Sequence, residues 1–118
     1  MTLRQAQDSA VAWEGKYIKV TQDGTWEYVS RTRDVTAAVI LVIDEGDVLL
    51  VEQYRVPLKA RCLELPAGLV GDKEEGEEIA LAAIRELEEE TGYRAAHMVD
   101  LGRFHASPGM SSEGFSLF

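Results

Sequence analysis

The sequence predicts an α/β domain in which strands dominate and one long helix stands out. Three observations carry this. Short apolar runs rich in β-branched and aromatic residues, separated by Asp-Gly and Pro-Gly signals, recur from Trp13 to Val70. Strong helix formers then fill the chain from about Glu77 to Thr91. After them a strand pattern resumes in "MVDLGRFHAS" and again in "FSLF". With 118 residues, 46% of them hydrophobic, the chain can bury one modest core and is too short for two.

In chain order, "WEGKYIKVTQDGTWEYVSR" (Trp13 to Arg31) reads as two strands around an Asp23-Gly24 turn, a β-hairpin. "VTAAVILVI" and "DVLLVEQY" flank Asp44-Glu45-Gly46-Asp47. The first is apolar at consecutive positions, as expected of a central strand covered on both faces. "LELPAGLVGD" reads as a short strand running into a loop, because Pro66 lacks a backbone donor and Gly68 and Gly71 permit turns. The helix follows, with Gly76 and Gly92 at its boundaries. "MVDLGRFHAS" is a strand, "PGMSSEG" a loop, and "FSLF" the start of a further strand.

Composition narrows the function. Against 12 Lys and Arg stand 21 Asp and Glu, a net charge of −9, which argues against a surface that neutralises nucleic-acid phosphates. Cys62 is the one cysteine, so no intrachain disulfide exists, and it reads as a small buried residue. No stretch approaches the length of a membrane span and the N-terminus has no leader pattern, so a cytoplasmic protein is the expectation.

The stretch "GDKEEGEEIALAAIRELEEETGY" is the chemically informative one, with nine carboxylates in 23 residues. At about 100° per residue, Glu86, Glu89 and Glu90 fall within an arc of roughly 100°, beside an apolar face carrying Ala80, Ile84 and Leu87. Arg85 is the one basic residue within the helix, placed to reach Glu89. Like charges at helical spacing repel, and hard oxygen donors on a rigid element suit Mg²⁺ or Mn²⁺. On charge and spacing alone, a solvated helix face and a metal site stay equally open.

The full spacing separates them. Gly71, Glu77, Arg85-Glu86-Leu87, Glu89-Glu90, Gly92 and Tyr93 reproduce the box G-x5-E-x7-R-E-U-x-E-E-x-G-U, with Tyr93 aromatic where an aliphatic residue is usual. In this the segment resembles the Nudix hydrolases. The resemblance implies an α/β/α sandwich with a mixed sheet, and divalent metals held against a pyrophosphate. Glu86, Glu89 and Glu90 would be metal ligands, Arg85 would orient a carboxylate, and Glu77 would support the network. Gly71 and Gly92 would be structural, and the Ala67 carbonyl a further metal contact.

Residues outside the box resemble the ADP-ribose pyrophosphatase branch of that family. In "TWEYVSR", Trp26 would stack on adenine, Glu27 would meet its exocyclic amine, and Arg31 would contact the ligand. "EQYR" matches a phosphate-holding arginine, here Arg55, and "LELPAGLV" places Glu64 in the substrate or metal shell. Pro108 lies 16 residues after Gly92, a spacing similar to that which marks ADP-ribose preference, and Glu113 aligns with an acid at the terminal ribose. His97 and His105 have no partner at metal-ligand spacing and are read as structural.

The resemblance thus implies Mg²⁺-dependent hydrolysis of ADP-ribose to AMP and ribose 5-phosphate. It also implies a homodimer through an N-terminal segment, residues 1–33, ahead of a catalytic domain over 34–118. Two alternatives remain: another nucleoside diphosphate sugar such as GDP-mannose, and a catalytically silent nucleotide-binding module. The branch continues past this point into further strands, a second helix and a loop glutamate acting as base. The expectation is therefore that the C-terminal part of the fold is missing.

Overall fold

A computed structural model of the chain describes residues 9–71 and 78–118. Its centre is a four-stranded mixed sheet in the order β10-β11-β4-β9. The strands are β4 (Val35–Val39), β9 (Ala67–Gly71), β10 (Gly102–His105) and β11 (Gly114–Leu117). β4 pairs antiparallel with β9 and parallel with β11, so the apolar run "VTAAV" is central, as its pattern predicts. β11 is also internal, flanked by β10 and β4.

The helix α1 (Ile79–Thr91) packs on β9 and β4. Ala82, Ala83 and Leu87 of the helix close over Ala38, Ile40, Val70 and Phe118 to make the core. Gly92 ends the helix with φ 77°, and its N–H donates to the Glu88 carbonyl at 2.9 Å. That left-handed cap is why a glycine stands there. Thr91 reinforces the end, its hydroxyl donating to the Leu87 carbonyl and accepting from the Tyr93 N–H. The expected N-terminal boundary at Gly76 and Glu77 lies outside the described residues.

A separate meander precedes this sheet: β1 (Ser9–Glu14), β2 (Ile18–Asp23) and β3 (Trp26–Arg31) in the order β1-β2-β3. The β2–β3 hairpin is the one read from the sequence, closed by the Asp23 to Trp26 pair with Gly24 at φ 64°. β1 is an addition. It pairs with β2 through a register shift between Val11 and Trp13, a bulge that bends the edge strand.

Two short ribbons complete the chain. β5 (Ile43–Asp44) and β6 (Asp47–Val48) are joined through Glu45 and Gly46, both at positive φ, the geometry of a tight two-residue hairpin. β7 (Val51–Arg55) and β8 (Ala60–Glu64) form the second ribbon, with Lys59 at φ 51° in its turn. This ribbon keeps apart from the core. Val56, Leu58 and Leu63 are each more than 65% exposed, and the radius of gyration is 17.1 Å, against about 13.5 Å for a compact chain of this length.

Two expectations change on the structure. Ala67–Gly71 is a strand rather than a loop, because Pro66 needs only its carbonyl there, which accepts the Ile40 N–H at 2.9 Å. In "MVDLGRFHAS" the strand covers only its second half. Asp100 accepts the Gly102 N–H on its side chain at 2.8 Å and Gly102 takes φ 107°, so the backbone turns before β10 begins. Cys62, expected to be buried, is half-exposed on β8.

Candidate active site

The box acids sit where α1 crosses β9. Counted around the helix, Glu86 and Glu90 lie in the same arc as Ala82, Ala83 and Leu87, so they extend the sheet-facing side rather than merely flank it. Glu86 is half-buried and Glu89 and Glu90 are exposed. Opposite Glu86 stands Gly68, where an added Cβ would lie 3.3 Å from Oε2 and 3.4 Å from the carboxyl carbon. The missing side chain of Gly68 is therefore what makes room for the Glu86 carboxylate.

The electrostatics follow from this crowding. Although Glu90 is exposed overall, partial desolvation of its carboxyl pushes its pKa above the ordinary value, and the negative charges of Glu86 and Glu89 push it further. Arg85 reaches Glu89 at 3.9 Å (Nε to Oε1), a weak contact across one helical turn. Glu88 is drawn off by Arg94, whose Nη2 donates to it at 3.0 Å. Ala67 opens β9 beside Gly68 and Gly71 closes it. Glu77 lies outside the described residues.

The donor set is three hard carboxylates on one helix, short of cations, which fits Mg²⁺ or Mn²⁺. Their side chains are not gathered: among the described residues no three His, Cys, Asp or Glu are grouped closely enough to hold a metal ion.

Arg55 and Glu64, both expected at the substrate, are joined to each other in the structure. Nε and Nη2 of Arg55 donate to the two carboxylate oxygens at 2.7 and 2.6 Å. The pairing lowers the Glu64 pKa and raises that of Arg55, with the hydrogen bonds as the main cause in each case. A neighbouring ion pair, Arg61 to Glu52, also crosses the ribbon.

At β3 a cleft of about 430 Å³ lies between Asp23, Trp26 and Tyr28 on one side and Pro108, Gly109, Ser111 and Ser112 on the other. It brings Trp26 and Pro108 together, although 82 residues separate them in sequence. Trp26 is 60% exposed, which leaves its side chain accessible for stacking. Glu27 does not line this cleft, because neighbouring residues of a strand point to opposite faces. Asp23, cross-strand partner of Trp26, lines the cleft instead. Arg31 and Glu113 are bonded to each other, Nη2 to Oε1 at 3.1 Å and Nε to Oε2 at 3.0 Å.

A larger cavity of about 660 Å³, mainly apolar, lies elsewhere, lined by Ile40, Leu87, Tyr93, His97, Met98 and Phe118. His105 stands opposite Gly114 in the β10–β11 register. No described helix is long and apolar enough to cross a membrane.

The family model for the NUDIX domain matches residues 32–114, which takes in α1, β9 and the loop bearing Pro108. The chain belongs to the NUDIX family. The NUDIX chain is 44% identical over 81 residues to an ADP-ribose pyrophosphatase of Bacillus subtilis, covering 69% of this chain and 42% of that protein. It is 38% identical over 99 residues to the ADP-sugar pyrophosphatase of Mus musculus, covering 69% of this chain and 44% of the relative. It thus spans less than half the length of either. A solved structure described as an ADP compounds hydrolase shares the NUDIX fold, with a TM-score of 0.73 at 22% identity over 92% of this chain and 62% of the other.

Proposed function

We propose that this NUDIX chain is a metal-dependent hydrolase that splits the pyrophosphate of a nucleoside diphosphate sugar. ADP-ribose is the foremost substrate, giving AMP and ribose 5-phosphate. The observation that carries the reading is the placing of Glu86, Glu89 and Glu90 on one side of α1, with Gly68 leaving room for the Glu86 carboxylate and Arg85 reaching Glu89 at 3.9 Å. The two relatives named above, pyrophosphatases of ADP-ribose and ADP-sugars, support the substrate class.

Glu86, Glu89 and Glu90 would hold one or more divalent cations, with the Ala67 carbonyl nearby. A divalent cation such as Mg²⁺ or Mn²⁺ held there would supply charge neutralisation at the diphosphate and a lowered pKa for the attacking water. Gly68 keeps space for Glu86, and Arg85 restrains Glu89. Trp26 stacks the base against the Pro108 side of its cleft. In Arg55, the two N–H groups turned to Glu64 fix the guanidinium plane, and its remaining donors face a phosphate oxygen. Residues 1–33 form the dimer contact and 34–118 the catalytic unit in this reading.

A second reading, a silent nucleotide-binding module, is favoured by the spread of the three carboxylates, which are not grouped as a ready metal cage among the described residues. The experiment compares turnover and calorimetric ADP-ribose binding in the native chain and in Glu86→Gln and Glu89→Gln. Turnover lost by orders of magnitude with binding retained supports the hydrolase. Binding with no turnover in the native chain supports the silent module.

A further inference from the structure

We propose that Arg31 and Glu113 form a clasp that positions the loop from Ser107 to Ser112 against β3 and thereby sets the width of the Trp26 cleft. The two residues then act through one another as positioning residues. This rests on the nucleotide-binding reading given above, and departs from treating Arg31 and Glu113 as separate ligand contacts.

The cleft has walls from two distant segments, so its width is set by whatever ties them together. The loop itself is one closed turn, since the N–H groups of Met110 and Ser111 both donate to the Ser107 carbonyl, at 3.0 and 2.8 Å. It therefore moves as a unit. Two backbone bonds fasten it to β3: Val29 N–H to the Met110 carbonyl and Ser112 N–H to the Val29 carbonyl, each 2.9 Å. The Ser112 hydroxyl donates to that of Ser30 at 2.8 Å. Next along both segments comes the ion pair.

It adds a two-pronged side-chain tie to these bonds. Both carboxylate oxygens of Glu113 meet the Arg31 guanidinium in parallel, and the side chains retain 31% and 35% of their exposure. Such a fork fixes direction as well as distance. Glu113 is itself held, its N–H donating to the Ser111 hydroxyl at 3.0 Å and its carbonyl accepting the Ala106 N–H at 3.2 Å. Arg31 is five residues from Trp26 along the strand, hence on the opposite face, which suits a tie behind the cleft better than a contact inside it.

The test uses the complete chain with Glu113→Gln and with the exchanged pair Arg31→Glu/Glu113→Arg. Hydrogen exchange of the amides from Met110 to Glu113 reports the clasp without any ligand. KM and kcat for ADP-ribose, with AMP affinity by calorimetry, report the cleft. Glu113→Gln is expected to speed exchange at these amides and raise KM about tenfold, with kcat within about twofold. The exchanged pair is expected to restore both.

Protection restored without recovery of KM would overturn the proposal, because it would make one of the two a direct ligand contact. Unchanged exchange in Glu113→Gln would overturn it as well. A native chain that neither binds AMP nor turns over ADP-ribose would strike the functional reading, while exchange alone would still decide the clasp. If the exchanged pair does not fold, Arg31→Lys, which keeps the charge and loses the fork, is expected to lie between native and Glu113→Gln in both readouts.

Discussion

Replacing Glu90 by Gln should make the metal-free protein more stable and the metal-loaded protein less so. The change keeps the side chain's shape and removes one of three like charges on the same side of the helix. Glu86 and Glu90 are one turn apart, and like charges at that spacing cost about 0.2–0.5 kcal/mol. For a domain of this length that relief corresponds to a rise in Tm of about 1–2 °C. A cation at tenfold its Kd would instead stabilise the native chain by about 1.4 kcal/mol, or roughly 6 °C, through mass action. Thermal unfolding in EDTA and in Mn²⁺ should therefore show the two melting curves change order. A variant that melts lower in both conditions would mean that Glu90 makes a structural contact. An equal Mn²⁺ shift in both proteins would put the cation elsewhere.

The same carboxyl sets a pH dependence. Because its folded pKa is raised, ionised Glu90 is penalised at neutral pH, and that penalty is relieved as pH falls through the raised value toward the ordinary carboxylate value. In EDTA, the Tm gap between Glu90→Gln and the native chain should narrow over that window and stay narrow below it. Gly68→Ala would bring a methyl group to 3.3 Å from the Glu86 carboxylate, so steady-state kinetics should show turnover fall by about tenfold, with Tm nearly unchanged; unaltered turnover would mean that the gap at Gly68 does not set the position of Glu86. Trp26→Ala should raise KM for ADP-ribose more than for GDP-mannose, and equal effects would assign Trp26 to structure. Glu64→Gln should weaken substrate binding through a loosened Arg55 rather than through lost contact, so it should add little to Arg55→Ala in a double-mutant cycle.

What could be read from the chain was what repeats with a fixed period or a fixed spacing. The helix, its Gly92 cap and the central place of "VTAAV" follow from such patterns, and so does the alignment of Glu86, Glu89 and Glu90 on one side. The sharing of that side between acids and core was less accessible, since it depends on Gly68 approaching from β9. Strand β1 escaped because its side chains are all exposed and offer no alternation of burial to detect. β9 was hidden by Pro66 and two glycines, whose local preference for turns gives way to pairing with β4. The partners of Arg31, Arg55 and Trp26 are tertiary facts. The register that joins Glu64 to Arg55, and the loop that brings Pro108 to Trp26, are fixed by strand pairing rather than by neighbours in sequence.

The most direct measurement is product analysis of ADP-ribose incubated with this chain, in Mg²⁺ and in EDTA, with GDP-mannose alongside. AMP and ribose 5-phosphate appearing in Mg²⁺ and not in EDTA is the predicted result. Intact ADP-ribose in both, from a folded chain that binds it, would contradict the hydrolase reading. Products formed equally in EDTA would contradict the role given to Glu86, Glu89 and Glu90.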